Sequence, residues 1–182
     1  MHCFQALVVS SIRIEREQTM QGHPEIIAKL NQLLAGELMA VDQYLAHGEI
    51  YADMGLARLA EHTIHESEHE RAHARAMIQR ILFLEGQPDL ATRDPMHVGT
   101  HVQEMLQLDL DLEYQVANHL KAAVALCEMH QDFVTRDMLV SQIEDTEMDH
   151  AYFLERQLRL ITHIGLPNYL QSQIDQTSTG DK

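Results

Sequence analysis

From Pro24 to Ile164 the chain keeps one period. Apolar side chains return every three to four residues, the spacing that gathers them on one face of an α-helix. Three stretches break the pattern: Asp53-Met54-Gly55, residues 86–99, and Met129 to Gln131. The expectation is an all-α chain of four helices, A from Pro24 to about Ala52, B from about Leu56 to Leu84, C ending near Glu128, and D from about Asp132 to Ile164. Pro24 suits a first helical turn, Gly55 a helix end, and Thr100 with Gln103 a capping box at the start of C. Gly165-Leu166-Pro167 stops D, and Asn168 to Ile174 forms a short fifth helix. Composition agrees: aromatics are 5%, Trp is absent, and the 182 residues include only 8 Gly and 4 Pro, too few for the turns of a sandwich or barrel.

Connection lengths set the stacking. A–B and C–D are joined by a few residues, so each pair is an antiparallel hairpin. The B–C connection, fully extended, reaches roughly 46–50 Å. A helix of about 28 residues is roughly 42 Å long. The connection can therefore run the length of the bundle and return the chain to its starting end.

The flanks read differently. Residues 1–19 look like an extension outside the folded domain of residues 20–174, with Met20 as an alternative start to Met1. Residues 175–182 read as a polar, flexible tail. Phe4 to Ser11 is too short, and lacks a preceding basic residue, for a secretory signal. The formal net charge of −15 argues against nucleic acid and fits either a solvated surface or cation attraction. Cys3 and Cys127 make neither a zinc pattern nor a disulfide framework, which fits the reduced cytoplasm. No apolar run is long enough to span a membrane.

Several charged residues fall on the apolar stripes. Glu37 sits among Leu30, Leu33, Leu34, Ala40, Val41 and Tyr44, and Glu113 among Leu106, Leu110, Val116 and Leu120. Glu147 and His150 lie among Val140, Ile143, Ala151 and Leu154, and Glu70 and His73 share a side with Met77 and Ile81. A carboxylate in a core is costly unless its charge is compensated, and four facing one another repel. Divalent cations resolve the conflict. One Glu from each of two helices and a Glu-x-x-His from each of the other two is the pattern of di-iron and di-manganese carboxylate bundles. Spacing supports the set: the midpoint of Glu37 and Glu70 falls inside the A–B turn and that of Glu113 and Glu147 inside the C–D turn, so each pair is level within its hairpin. Glu66 with His69 is a competing Glu-x-x-His one turn earlier, but its midpoint with Glu37 falls short of the turn. His62, His65 and His69 add a histidine stripe, either partly exposed helix residues or a secondary iron site in which His65, His69 and Glu66 pass iron to or from the centre.

From Met20 to about Ile174 the chain resembles the bacterioferritins. The resemblance is carried by LLAGELMAVDQY (33–44), HESEHERAHA (65–74), RILFLEG (80–86), EMLQLDLDLE (104–113), DFVTRD (132–137), DTEMDH (145–150) and GLPNYLQSQI (165–174). It implies a ferritin-like four-helix bundle with a long B–C crossover and a short fifth helix. It also implies a hollow shell of 24 subunits storing ferric mineral, and an intrasubunit di-iron ferroxidase centre that oxidises Fe(II) with dioxygen. The family's six ligands match Glu37, Glu70, His73, Glu113, Glu147 and His150, with Glu70 and Glu147 bridging and Tyr44 beside the site. Two departures matter. Haem b in that family is held between subunits by a methionine directly after the helix-B Glu; here that position is Arg71, a poor iron ligand. The resemblance is therefore to subunits lacking the haem ligand, assembling as a homo-oligomer or beside a haem-binding partner subunit. Second, His69 stands where an inner-surface Asp is common, while His65 matches an inner-surface His. A rubrerythrin-type peroxidase, an oxygenase and a non-catalytic shell subunit are the rival readings, the first disfavoured by the lack of rubredoxin-like cysteine pairs.

Overall fold

A computed structural model describes residues 20–174; the expected extension (1–19) and tail (175–182) lie outside the described residues. The described residues form α1 (Pro24–Asp53), α2 (Ala57–Phe83), α3 (Val102–Met129) and α4 (Phe133–Asp145). α4 continues through a π-helical turn (Thr146–Ala151) into α5 (Tyr152–Ile164), and α6 (Leu166–Gln173) closes the chain. This is the all-α four-helix bundle with a short C-terminal helix, no strand occurring among the described residues. None of their helices is long and apolar enough to cross a membrane.

The α1–α2 hairpin turns at Gly55, whose φ of 76° is accessible to glycine at little cost. Further along, Gly48 lets the two helices approach: a Cβ there would lie 2.6 Å from Ile64 Cγ1. At the other end α2 is tied to the α3–α4 turn. Asp132 caps α4 by accepting the Thr135 N–H at 3.0 Å, and Arg80 donates to Asp132 at 2.8 Å and to the Thr135 hydroxyl at 2.7 Å.

The start of α3 differs from expectation. The cap is His101, whose Nδ1 accepts the Glu104 N–H at 3.2 Å, while the Glu104 carboxylate reaches back to the Thr100 N–H at 2.7 Å. The box is displaced by one residue because an imidazole nitrogen accepts as a hydroxyl does, leaving Thr100 outside the helix.

The long B–C connection descends along α1. Asn31 donates to the Gln87 carbonyl at 3.0 Å, the Asp94 N–H reaches the Ala35 carbonyl at 3.3 Å, the His97 N–H reaches Gln43 at 3.0 Å, and the Gly99 N–H reaches His47 Nε2 at 3.2 Å. Residues 31, 35, 43 and 47 lie along one side of α1, so the crossover follows that helix for roughly 24 Å at 1.5 Å per residue.

Two apolar clusters fill the ends of the bundle. One gathers Leu30, Leu34, Met77, Ile81, Leu120 and Leu139; the other Tyr51, Leu59, Met105, Leu106, Leu154 and Tyr169. Between them lies a layer of buried polar side chains. The fourth helix reaches that layer out of α-helical register. It buries Thr135, Leu139, Gln142, Thr146, His150 and Leu154, while Val140, expected in the core, is 40% exposed. Widening the turn in the π segment moves the buried stripe.

Candidate metal centre

Three helices aim acids at one another, and the π turn adds a histidine. Glu37 enters from α1, Glu66 and Glu70 from α2, and Glu113 from α3, all at most 4% exposed. His150 reaches them from the π turn and is 1% exposed. Two triads can each hold one cation: Glu37, Glu70 and His73, and Glu70, Glu113 and His150, the ligand atoms within each lying within 4.8 Å of one another. Glu70 belongs to both, placing one carboxylate between two cation positions.

The distances draw these groups into one cluster. His73 Nδ1 lies 3.1 Å from Glu70 Oε2 and 3.8 Å from Glu37 Oε2, while its Nε2 lies 3.3 Å from Asp145 Oδ2, which fixes the plane of the ring. His150 Nδ1 lies 2.9 Å from Glu70 Oε1 and 3.6 Å from Glu113 Oε2, and its Nε2 2.7 Å from Glu66 Oε2. Several of these atoms sit close without hydrogen-bond alignment: Glu37 Oε2, Glu66 Oε2, Glu113 Oε2 and both His150 nitrogens are buried with no hydrogen-bond partner. Nine in ten or more buried polar groups find a partner, so five orphans at one spot mark an environment shaped for something other than its own hydrogen bonds.

Electrostatics agree. Burial, then the neighbouring Glu70 charge, push Glu37 well above the usual carboxylate range. Burial pushes Glu113 up to about 7, against the pull of the His150 contact. Burial would raise Glu70 too, but the contacts from His150 and His73 hold it well below its ordinary value. Burial works against charge on His150, yet Glu113, Glu66 and Glu70 hold its proton far more tightly than free imidazole does. Without a cation, protons carry the compensating charge.

Tyr44 donates its hydroxyl to Glu113 Oε1. Burial, then the Glu113 charge, raise its pKa well above 10, keeping it a donor. One turn along α3, Asp109 accepts from His47 Nδ1–H at 2.9 Å and from the Gln43 amide at 2.9 Å. Because His47 Nε2 accepts from Gly99, the tautomer is settled: Nδ1 carries the proton. Gln43, His47 and Asp109 are all at most 2% exposed. Sequence reasoning missed these three. The available signal was that Asp109 sits one turn before Glu113 on the buried stripe, with His47 one turn after Gln43 on α1.

The expected residues are thus placed as follows. Glu37, Glu70, His73, Glu113, His150 and Tyr44 converge. Glu147 faces outward, its carboxylate paired with Lys121. The Glu-x-x-His face-sharing behind its assignment holds for an α-helix, and the π turn separates positions three apart. Glu66, set aside on its spacing, is 3% exposed and forms a third group with His69 and His150. The His69 ring stacks 5.7 Å from His150, and the exposed His65 ring lies 4.3 Å from it at a tilt of 59°, extending the histidine line outward.

A helix bundle with a carboxylate–histidine layer between two apolar ends is a recognised class of metal-binding architecture. Residues 27–164 match the ferritin-like domain of the ferritin family. Two relatives, each called bacterial ferritin, are 54% identical in Synechocystis sp. and 56% identical in Pseudomonas aeruginosa, each over 155 residues that span 85% of this chain and 99% and 100% of those proteins. A bacterioferritin of Mycobacterium avium is 39% identical over 150 residues, 82% of this chain and 94% of that one. The chain belongs to the ferritin family and, within it, to the bacterioferritin type.

One prediction follows from the raised carboxyls. Burial holds Glu37 well above the usual carboxylate range and pushes Glu113 up to about 7, so both favour the protonated form in the metal-free chain, and a ligating carboxylate must lose its proton. Cobalt(II) added without oxygen near pH 6 should release at least one proton per chain, and affinity should rise toward pH 8. Calorimetry in buffers of different ionisation enthalpy measures this; a pH-independent affinity with no proton release contradicts it.

Proposed function

We propose that this chain stores and detoxifies iron: it oxidises Fe(II) with dioxygen at a di-iron ferroxidase centre, and its assembled copies keep the ferric mineral in a hollow shell. The observation that carries the reading is Glu70's membership of two adjacent ligand triads at five orphaned buried atoms. Carboxylate oxygens with one imidazole per position are a donor set that suits iron. Membership of the ferritin family supports storage and a shell, with 24 copies the expected number.

Glu37 and His73 would hold one ion and Glu113 and His150 the other, Glu70 bridging. Glu147 would complete the set as the second bridging carboxylate once it leaves Lys121, and the π turn is where the backbone carries it. When bound, the two irons supply the electrons that reduce dioxygen. The chain's own residues do the rest. Three acids offset the charge of the higher oxidation state. Asp145 orients His73, and Tyr44 keeps Glu113 aimed inward by donating to its other oxygen. Glu66, His69 and His65 form a line along which iron moves between centre and store.

Haem fits less well. Arg71 is 60% exposed on its side chain and pairs with Glu68 at 3.3 Å, and a guanidinium has no lone pair to give. A homomeric preparation should show no haem Soret band; a stoichiometric bis-thioether spectrum would overturn this, and a partner subunit with methionine at that position would restore haem.

Glu113→Ala and His150→Ala should each cut rapid ferrous-dependent oxygen uptake by about 100-fold or more while size-exclusion mass stays that of the shell. Wild-type uptake by the double variant would refute the centre, and a small assembly would refute storage.

A further inference from the structure

We infer that His23, Glu25 and His130 form a further divalent-cation site, apart from the di-iron centre, at the end of the bundle where α1 begins and α3 turns into α4. The three side chains offer two imidazoles and one carboxylate, and their ligand atoms lie within 4.8 Å of one another. Glu25 and Glu37 are roughly 18 Å apart along α1 at 1.5 Å per residue, and the two clusters share no ligand. Zinc and ferrous iron are the cations that suit this donor set, with open positions left for water. Glu25 is 64% exposed on its side chain and His130 21%, so cations reach the group directly from solvent.

Three observations point from this cluster to a cation. His130 Nε2 lies 3.1 Å from Glu25 Oε2, so a proton sits between two ligand atoms whose spacing is close to the roughly 3.3 Å between neighbouring ligands on a tetrahedral zinc. A cation in the proton's place gains both atoms. The His23 ring stacks on the His130 ring, with centroids 3.6 Å apart and planes at 21°, which brings the second imidazole alongside the first. The backbone on both sides is tied to the end of α2. The Gly22 N–H donates to the Leu84 carbonyl at 2.9 Å, and Arg80 donates at 2.8 Å to Asp132, just beyond His130. Ligands carried on clamped backbone lose little freedom on binding. His23 also caps α1, its Nδ1 accepting the Glu25 N–H at 3.3 Å. A neutral imidazole has one free lone pair, so a cation on His23 displaces that long bond. In exchange the metal joins the first turn of α1 to the α3–α4 turn.

The probe is zinc(II) on the assembled full chain, followed by equilibrium dialysis and by anomalous scattering from crystals grown with zinc. The expected result is an anomalous peak held by His23, Glu25 and His130, and one zinc per chain that survives in Glu70→Ala, where the centre loses its bridge. His23→Asn keeps a helix cap and removes an imidazole, while Glu25→Gln keeps the size and removes the charge. Each should weaken that zinc by about tenfold or more and leave ferrous-dependent oxygen uptake at the wild-type rate. Should one variant fail to assemble, the other carries the test. No anomalous density at these residues, or wild-type zinc stoichiometry and affinity in both variants, would overturn the inference. Three zinc ions in Glu70→Ala, one of them lost when His23→Asn is added, would overturn the di-iron reading and leave this site standing, so the two failures are distinguishable.

Discussion

Acid side chains in the dry middle of the bundle set the terms for everything around them. Glu37, Glu66, Glu70 and Glu113 share one layer, and like charges about 4 Å apart repel by about 4 kcal/mol per pair even at an effective dielectric of 20. Nothing in a helical fold requires this, since apolar residues at the same positions would join the two clusters into one core. The layer persists through compensation. In the metal-free chain the neighbouring carboxylates strengthen the hold of His73 and His150 on a proton, and burial does the same for Glu37; cations bound there would displace those protons. Compensation by proton is partial, as the orphaned oxygens show, and the two proposed cations would take up the orphaned oxygens of Glu37 and Glu113 and one nitrogen of His150.

The surroundings hold the layer in place. Tyr44 to Glu113 and His47 to Asp109 are successive cross-links between α1 and α3, and Gln43 joins the second to the crossover. On α2, the Ser67 hydroxyl donates to the Val41 carbonyl at 2.9 Å, one turn from Glu70. These bonds are buried and mutually satisfied, so they fix helix register against the repulsion at the centre. The fourth helix is treated differently. Its π turn carries both Glu147 and His150, and this is the one place where a ligand helix departs from regular geometry. π turns of this kind recur at functional sites, and here the irregular element bears the carboxylate that stands outside, on Lys121.

Much of this was legible in the sequence. Period gave four helices, connection lengths gave two hairpins and a crossover, and the turn midpoints placed Glu37 level with Glu70. Those inferences rest on regular geometry and hold where the helix is regular. They miss where it is not: Val140 and the facing of Glu147 follow from a backbone widening with no residue signature. Glu66 was set aside because level-matching compared it with one helix, whereas its neighbour is His150 on another. The His47–Asp109–Gln43 network was hidden for a further reason. A buried polar residue on a stripe reads as an interruption until its partner, more than 60 residues away, is known.

The central claim is that one carboxylate serves two cation positions. The most direct measurement is the cobalt(II) stoichiometry, without oxygen, of Glu70→Ala beside Glu37→Ala and wild type. Two ions per chain in wild type, one in Glu37→Ala and essentially none held tightly in Glu70→Ala is the expected series. A Glu70→Ala chain that still binds two ions with wild-type affinity would contradict the account.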